Sequence, residues 1–339
     1  MEECSVKKVR VYFFSLLIVL GITMVPTVEA AEMNFSVQAV IPENQQDKSK
    51  TYFDLKMTPN QSQDITITMK NDTSKDVTVE VGVNTATTND NGIADYNGKK
   101  EKDSTLKYDL SDLIEIDKEI VVPSNGETSV VAHLKMPKEM FDGVLVGGFT
   151  FIEKESTESL EEQKGVSVVN KYAYTIGIQL QETDKIINPE LVLNDVSPTQ
   201  VNFRNVVEAN IQNTESAILK DLTIDGKIFK KNGKEALYET KRTDLRMAPN
   251  SNFNYRVSLN NDEFKPGVYV FKGVANAGDK EWKFEKEFTI KGDVAKELNE
   301  KAVEIDKDYT IYIYIGVGLI IFILVLIILY LLRKVKRAQ

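Results

Sequence analysis

From Phe35 to Glu182 no stretch of about twelve residues carries helical periodicity. What recurs is alternation of apolar and polar residues with period two, clearest in Asp64–Lys70 and Val77–Val81. A half-buried strand requires that period, because successive side chains point to opposite faces. The polar cluster Asn71–Asp76 between these runs supplies turn formers. Further strands are expected at Thr51–Met57, Glu119–Val122, Ser129–Met136, Leu145–Ile152 and Val166–Leu180, with a single helical turn at Ser111–Ile116. Two segments interrupt them: Asn89–Gly98, dense in residues that tolerate positive φ, and Glu153–Gly165, acidic and serine-rich. After a junction at Asp184–Pro189, strands are expected again at Leu191–Val196, Val206–Gln212, Leu219–Phe229, Asn254–Leu259, Gly267–Val274 and Trp282–Ile290. Short strands at this spacing predict an all-β chain with two Ig-like β-sandwich domains in tandem.

The two ends of the chain carry different patterns. Lys7, Lys8 and Arg10 precede the apolar run Val11–Val25, and Val28–Ala30 supplies small residues at cleavage-site spacing. That is the layout of a secretory signal peptide. Ile311–Leu332 holds no charge, no proline and no amide side chain; as a helix it would rise about 33 Å, enough for the hydrocarbon core of a bilayer. Arg333, Lys334, Lys336 and Arg337 follow, so the positive-inside rule keeps that tail in the cytoplasm and the body outside. The expected divisions are a signal peptide (1–30), a first sandwich (31–185), a second (186–292), a stalk (293–308) with a short helix, one transmembrane helix (309–332) and a basic tail (333–339). The expected location is the cell membrane, single-pass, with the N-terminal part facing the cell wall.

Charge and chemistry narrow the function. The chain carries −9. With residues 1–30 neutral and the tail at +4, the exported body stands near −13, which argues against nucleic acid as a partner. The single cysteine, Cys4, lies in the leader, so disulfides do not staple the body. Cysteine-free export on this scale suits a Gram-positive surface. One histidine, His133, sits in an expected strand without a nucleophile-elbow motif, and reads as a strand residue facing solvent or a partner. Asn89–Gly98 resembles a calcium loop in its spacing, but Thr87 and Gly98 stand where the two essential acids belong. No catalytic residue, metal site or cofactor is expected, and the chain does not read as an enzyme.

Certain phrases are more specific than composition. In order they are Tyr52-Phe-Asp-Leu55, Thr87 to Tyr96, Met136-Pro-Lys-Glu-Met-Phe-Asp-Gly-Val-Leu-Val-Gly-Gly148, Asn188-Pro-Glu-Leu191, Ala209 to Asn213, Met247-Ala-Pro-Asn-Ser251 and Lys265-Pro-Gly-Val-Tyr269. They resemble the WxL-interacting protein family of Gram-positive surface proteins, over about residues 33–335. The resemblance implies a peptidoglycan-binding first domain, a host-binding second domain, and WxL-domain surface proteins as partners. The sole tryptophan, in Trp282-Lys-Phe, is not the Trp-x-Leu motif, so the chain looks like the partner.

Aromatic faces stack on sugars and carboxylates accept from hydroxyls, so Tyr52, Asp54, Asn91, Asp95, Tyr96 and Asp142 are the expected ligand contacts. Gly143, Gly147 and Gly148 are expected where backbones approach closely or a strand bulges. The function expected is a non-enzymatic, membrane-anchored binding scaffold that engages peptidoglycan and WxL proteins, with host ligands as a further partner. The alternatives are a pilus-type chaperone for surface proteins, also built of two Ig-like domains, and an ancillary part of a carbohydrate-active enzyme.

Overall fold

A computed structural model describes residues 33–154, 172–303, 305 and 310–338. The expected signal peptide, most of the acidic segment after Glu153, the first residues of the strand expected from Val166, and Tyr309 lie outside the described residues.

The period-two runs pair into sheets that share apolar cores. One sheet has the order β1 (Phe35–Val40), β3 (Ser62–Asn71), β9 (Gly126–Lys135), β7 (Ile114–Glu115). Its partner has the order β2 (Phe53–Lys56), β11 (Ala173–Gln181), β10 (Leu145–Glu153), β4 (Val77–Thr85), β8 (Glu119–Val122). Ile65, Ile67 and Met69 of the first sheet meet Phe149, Phe151 and Ile178 of the second in one buried cluster. Phe53 and Phe149 pack edge to face with ring centroids 6.0 Å apart. β2 runs parallel to β11, unlike its antiparallel neighbours. The expected helical turn is present as α1 (Leu110–Leu113), capped by the Asp109 carboxylate on the Ser111 amide.

A second core lies between the sheet β12 (Leu191–Val201), β13 (Arg204–Asn213), β16 (Ser251–Ser258) and the sheet β15 (Ala236–Met247), β14 (Leu219–Lys230), β17 (Gly267–Ala277), β18 (Lys280–Ile290). β15 was not expected from the sequence. Before Leu245 every one of its residues is exposed or half-buried, so it lacks the buried face on which period-two patterning depends.

The region expected as a stalk begins with helix α2 (Gly292–Lys301), which lies against this second core. Ala295 is buried, Leu298 packs on the core, and the Asn299 side-chain amide bridges the backbone of Phe264. Helix α3 (Thr310–Ala338) follows. Its side chains are described over residues 314–328, where Tyr314 to Ile328 stand exposed. Among the described residues no helix is long and apolar enough to cross a membrane.

The two cores are fastened by a tongue from the first. Strands β5 (Thr87–Thr88) and β6 (Ala94–Asp95) pair as a hairpin, and the tongue continues to Thr105. It lies along the outward polar row of β13 and β16, where Glu208, Asn210 and Gln212 pair with Arg256, Asn254 and Asn252. Asp90 accepts from the Arg256 guanidinium and the Asn254 amide N–H, while Asp103 accepts from Gln212 and Asn252. The Thr88 and Ser251 hydroxyls meet at 2.6 Å with both residues buried. Lys100 Nζ donates to the carbonyls of Thr88 and Asn252, and burial pushes its pKa down. The loop that resembled a calcium site has therefore committed its oxygen atoms to protein donors: Asn89 Oδ1 caps the Asn91 amide, and the carbonyls of Asp90 and Asn91 take the Arg242 guanidinium.

Candidate functional site

A cleft of about 900 Å³ opens beside the tongue, with walls from both sandwiches. Its first wall is the outward face of β10 and β11. Phe149, Phe151, Ile176 and Ile178 point inward, and the cross-strand pair Gly148–Gly177 faces outward. Neither glycine fills its position, and a tyrosine ring comes to each. Tyr96 Cδ1 lies 3.1 Å from where a Gly148 Cβ would stand, and Tyr52 Cγ lies 3.8 Å from the equivalent point on Gly177. Two rings from separate loops thus share a glycine floor. Both are half-buried, and the Tyr96 hydroxyl is pushed up in pKa, chiefly by burial and also by the neighbouring Tyr52. The Lys50 ammonium sits 5.3 Å from the centre of the Tyr52 ring.

The far wall belongs to the second sandwich, and Gly143 brings it close. Its φ of +82° suits glycine, and a Cβ there would strike the Ser216 carbonyl, which instead accepts from the Val144 amide at 2.8 Å. Gly147 also needs its missing side chain, since a Cβ would run into the Asn84 carbonyl and Leu110. The close approach expected at Gly143 and Gly147 is present.

The six expected contact residues fall in different places. Tyr52 and Tyr96 converge on the cleft. Asp54, expected to be exposed, is corrected: it is 3% exposed. Its carboxylate is held by Lys50 at 2.7 Å, with Gln46 and Gln179 completing the shell, because the Gln45–Lys50 segment folds over it. Asn91 is on the tongue, giving its carbonyl to Arg242. Asp95 is spent on Asn97, whose amide and side chain it accepts. Asp142 stands at the cleft's edge, where the Lys185 ammonium and the Thr183 hydroxyl hold its carboxyl below the usual range. His133 is exposed on β9, with Nδ1 2.7 Å from Asp64, and that hydrogen bond raises its pKa.

Sequence reasoning missed the cations. Lys50, Lys185, Lys220 and Arg246 line the cleft, against the single acid Asp184. Lys50 is paired with Asp54, Lys185 with Asp142, and Asp184 with Lys56. Lys220 and Arg246 are exposed and draw on none of these acids. A cationic lining inside a body of strongly negative charge sets the cleft apart from the surrounding surface.

Comparison with known proteins follows the same two-part layout. No curated protein sequence matches the chain. Among solved structures it is similar at low level to the CsuC–CsuE chaperone–tip adhesion subunit complex of Acinetobacter baumannii, at 12% identity and a TM-score of 0.32 over 75% of this chain and 98% of that one. The E. coli chaperone DraB gives 11% and 0.29 over 76% and 98%, and the SafB chaperone complex with the SafA pilin from Salmonella enterica 7% and 0.28 over 77% and 99%. Likeness at these scores carries no argument about function.

The family models are decisive. Residues 35–153 match the model described as the WxL Interacting Protein peptidoglycan binding domain, and residues 163–300 the one described as its host binding domain. The second match begins ahead of β11, although β11 pairs with β10 and β2 and buries Ile176, Ile178 and Leu180 in the first core. Together the two matches span most of the sequence, in the order its phrases foretold, and the chain belongs to the WxL Interacting Protein family.

Proposed function

We propose that this chain is a non-enzymatic surface protein that holds peptidoglycan glycan on the Tyr52–Tyr96 platform. Both matched models describe binding domains, which supports a role in binding. The observation that carries the reading is the convergence of two tyrosines from distant loops on the Gly148–Gly177 floor, beside an open cleft. Sugar rings present flat C–H faces, and a pair of half-buried aromatic rings at the edge of a cleft suits them. In this reading the first division (31–185) and the second (186–292) are Ig-like sandwiches, with residues 1–30 as the export signal. Helix α3, whose described side chains are bare and apolar, would tether the protein. WxL-domain proteins and host ligands would engage the second sandwich.

The test is co-sedimentation of the full chain, solubilised in detergent, with insoluble peptidoglycan. Retention in the pellet, reversed by excess soluble glycan fragments, is the expected result. Complete recovery in the supernatant would remove peptidoglycan as the ligand.

A further inference from the structure

We infer that the cleft is a composite site for an anionic glycan, in which the second sandwich supplies the charge recognition through Lys220 and Arg246. The inference rests on reading the tyrosine platform as a glycan site, and it adds the ligand's charge and a contribution from the other domain. Tyr52 and Tyr96 lie within the residues matched by the peptidoglycan-binding model, while Lys220 and Arg246 lie within those matched by the host-binding model. Each half alone lacks what the other brings.

The charges decide the ligand class. Lys50 is hydrogen-bonded to the buried Asp54, and Lys185 is engaged by Asp142, so neither wall cation of the first sandwich offers its full charge. The Lys220 and Arg246 side chains stand exposed in the opposite wall, on β14 and β15, with Ala217, Met247 and Ala248 beside them around the cleft. Arg246 is held in place by its own backbone, whose N–H donates to the Gly92 carbonyl at 2.7 Å. The tongue therefore anchors the Arg246 backbone, and it also carries Tyr96 into the lining of the same cleft. A guanidinium reads carboxylate or phosphate with two parallel hydrogen bonds, and a lysine adds a compact charge. A neutral glycan would use the rings alone. An acidic one would use both walls, with its sugar on the tyrosines and its anion on Lys220 and Arg246.

Two anionic sources share this chemistry: carboxylates on a glycan's attached peptide, and phosphates of a polyol-phosphate polymer that bears sugar substituents. The experiment measures affinity and its salt dependence for the full chain against three probes. These are a soluble disaccharide–peptide with free carboxylates, the same fragment with its carboxylates amidated, and a glycerol-phosphate oligomer that carries glycosyl substituents. The combined variant Lys220→Glu and Arg246→Glu is expected to weaken the acidic fragment by about tenfold or more and to flatten its salt dependence, with the amidated fragment unchanged.

Lys234→Glu, at the exposed β14–β15 turn, should change neither probe, and Arg246→Lys should recover part of the loss. A loss seen with the oligomer and not with the acidic fragment keeps the inference and assigns the phosphate source. If the combined variant binds every probe as the wild type does while Tyr52→Ala loses them, the platform stands and the composite site is overturned. If Tyr52→Ala and Tyr96→Ala bind normally while the charge reversal loses affinity, the platform falls and the cationic wall stands. Wild-type protein that binds no probe overturns both.

Discussion

Asp103→Ala is expected to lower the free energy of unfolding by about 3 kcal/mol, because it strands donors that the tongue satisfies. The residue is 7% exposed. Its carboxylate accepts from Gln212 and Asn252 at 2.6 Å each, and from the amide and hydroxyl of Thr105 at 2.9 and 2.7 Å. Alanine would leave the buried Gln212 amide without this acceptor and loosen the turn at Thr105 together. The loss carries a pH signature. Burial alone would raise the Asp103 pKa, but the bonds from Asn252, Thr105 and Gln212 outweigh it and hold the group below the ordinary value of 3.8.

A depressed folded-state pKa contributes stability that is complete above the unfolded value and is lost as pH falls through the folded one. The difference between wild type and Asp103→Ala should therefore be full at neutral pH and shrink below about pH 4. Urea unfolding of both proteins across that range measures it. Equal stability at neutral pH, or a gap that persists undiminished into strong acid, would contradict this role for the tongue.

The second large effect is on binding. Replacing Tyr52 and Tyr96 together by alanine is expected to weaken glycan affinity by about a hundredfold, the scale of losing two well-placed aromatic contacts. The corresponding phenylalanine variant keeps both faces over Gly148 and Gly177 and should bind close to the wild type. Isothermal titration with a soluble fragment separates the cases. The rings are half-buried on an outward face rather than in either core, so the unfolding profile should change far less than the affinity.

What the sequence discloses depends on which residues are buried. β3 and β4 are legible because one face of each meets the core, with Ile65, Ile67 and Met69 alternating with polar residues in the one as Val77, Val79 and Val81 do in the other. β15 is hidden by the same logic, since a charged edge strand with no buried face before Leu245 has no pattern to read. At Tyr52–Leu55 alternation alone leaves open which pair turns inward. Phe53 and Leu55 do, yet Asp54 is also buried, because a preceding loop covers an outward-facing carboxylate.

The site divides in the same way. Tyr52 and Tyr96 are visible as aromatics beside turn formers, but their meeting requires the pairing of Gly148 with Gly177 across β10 and β11. Asp90 and Asp103 look like ordinary turn acids until the polar row of β13 and β16 is set against them. Lys220 and Arg246 look like solvated strand cations. Only the docking of one sandwich on the other gives them a cleft to face.

The claim that one ligand is held between two sandwiches is tested most directly by amide hydrogen exchange on the full chain, with and without an acidic glycan fragment. Slowed exchange is expected at residues 146–148 and 176–179 of the first wall and, at the same ligand concentration, at residues 217–220 and 246–248 of the second. Slowing confined to one sandwich, with the other wall exchanging as in the free protein, would contradict it.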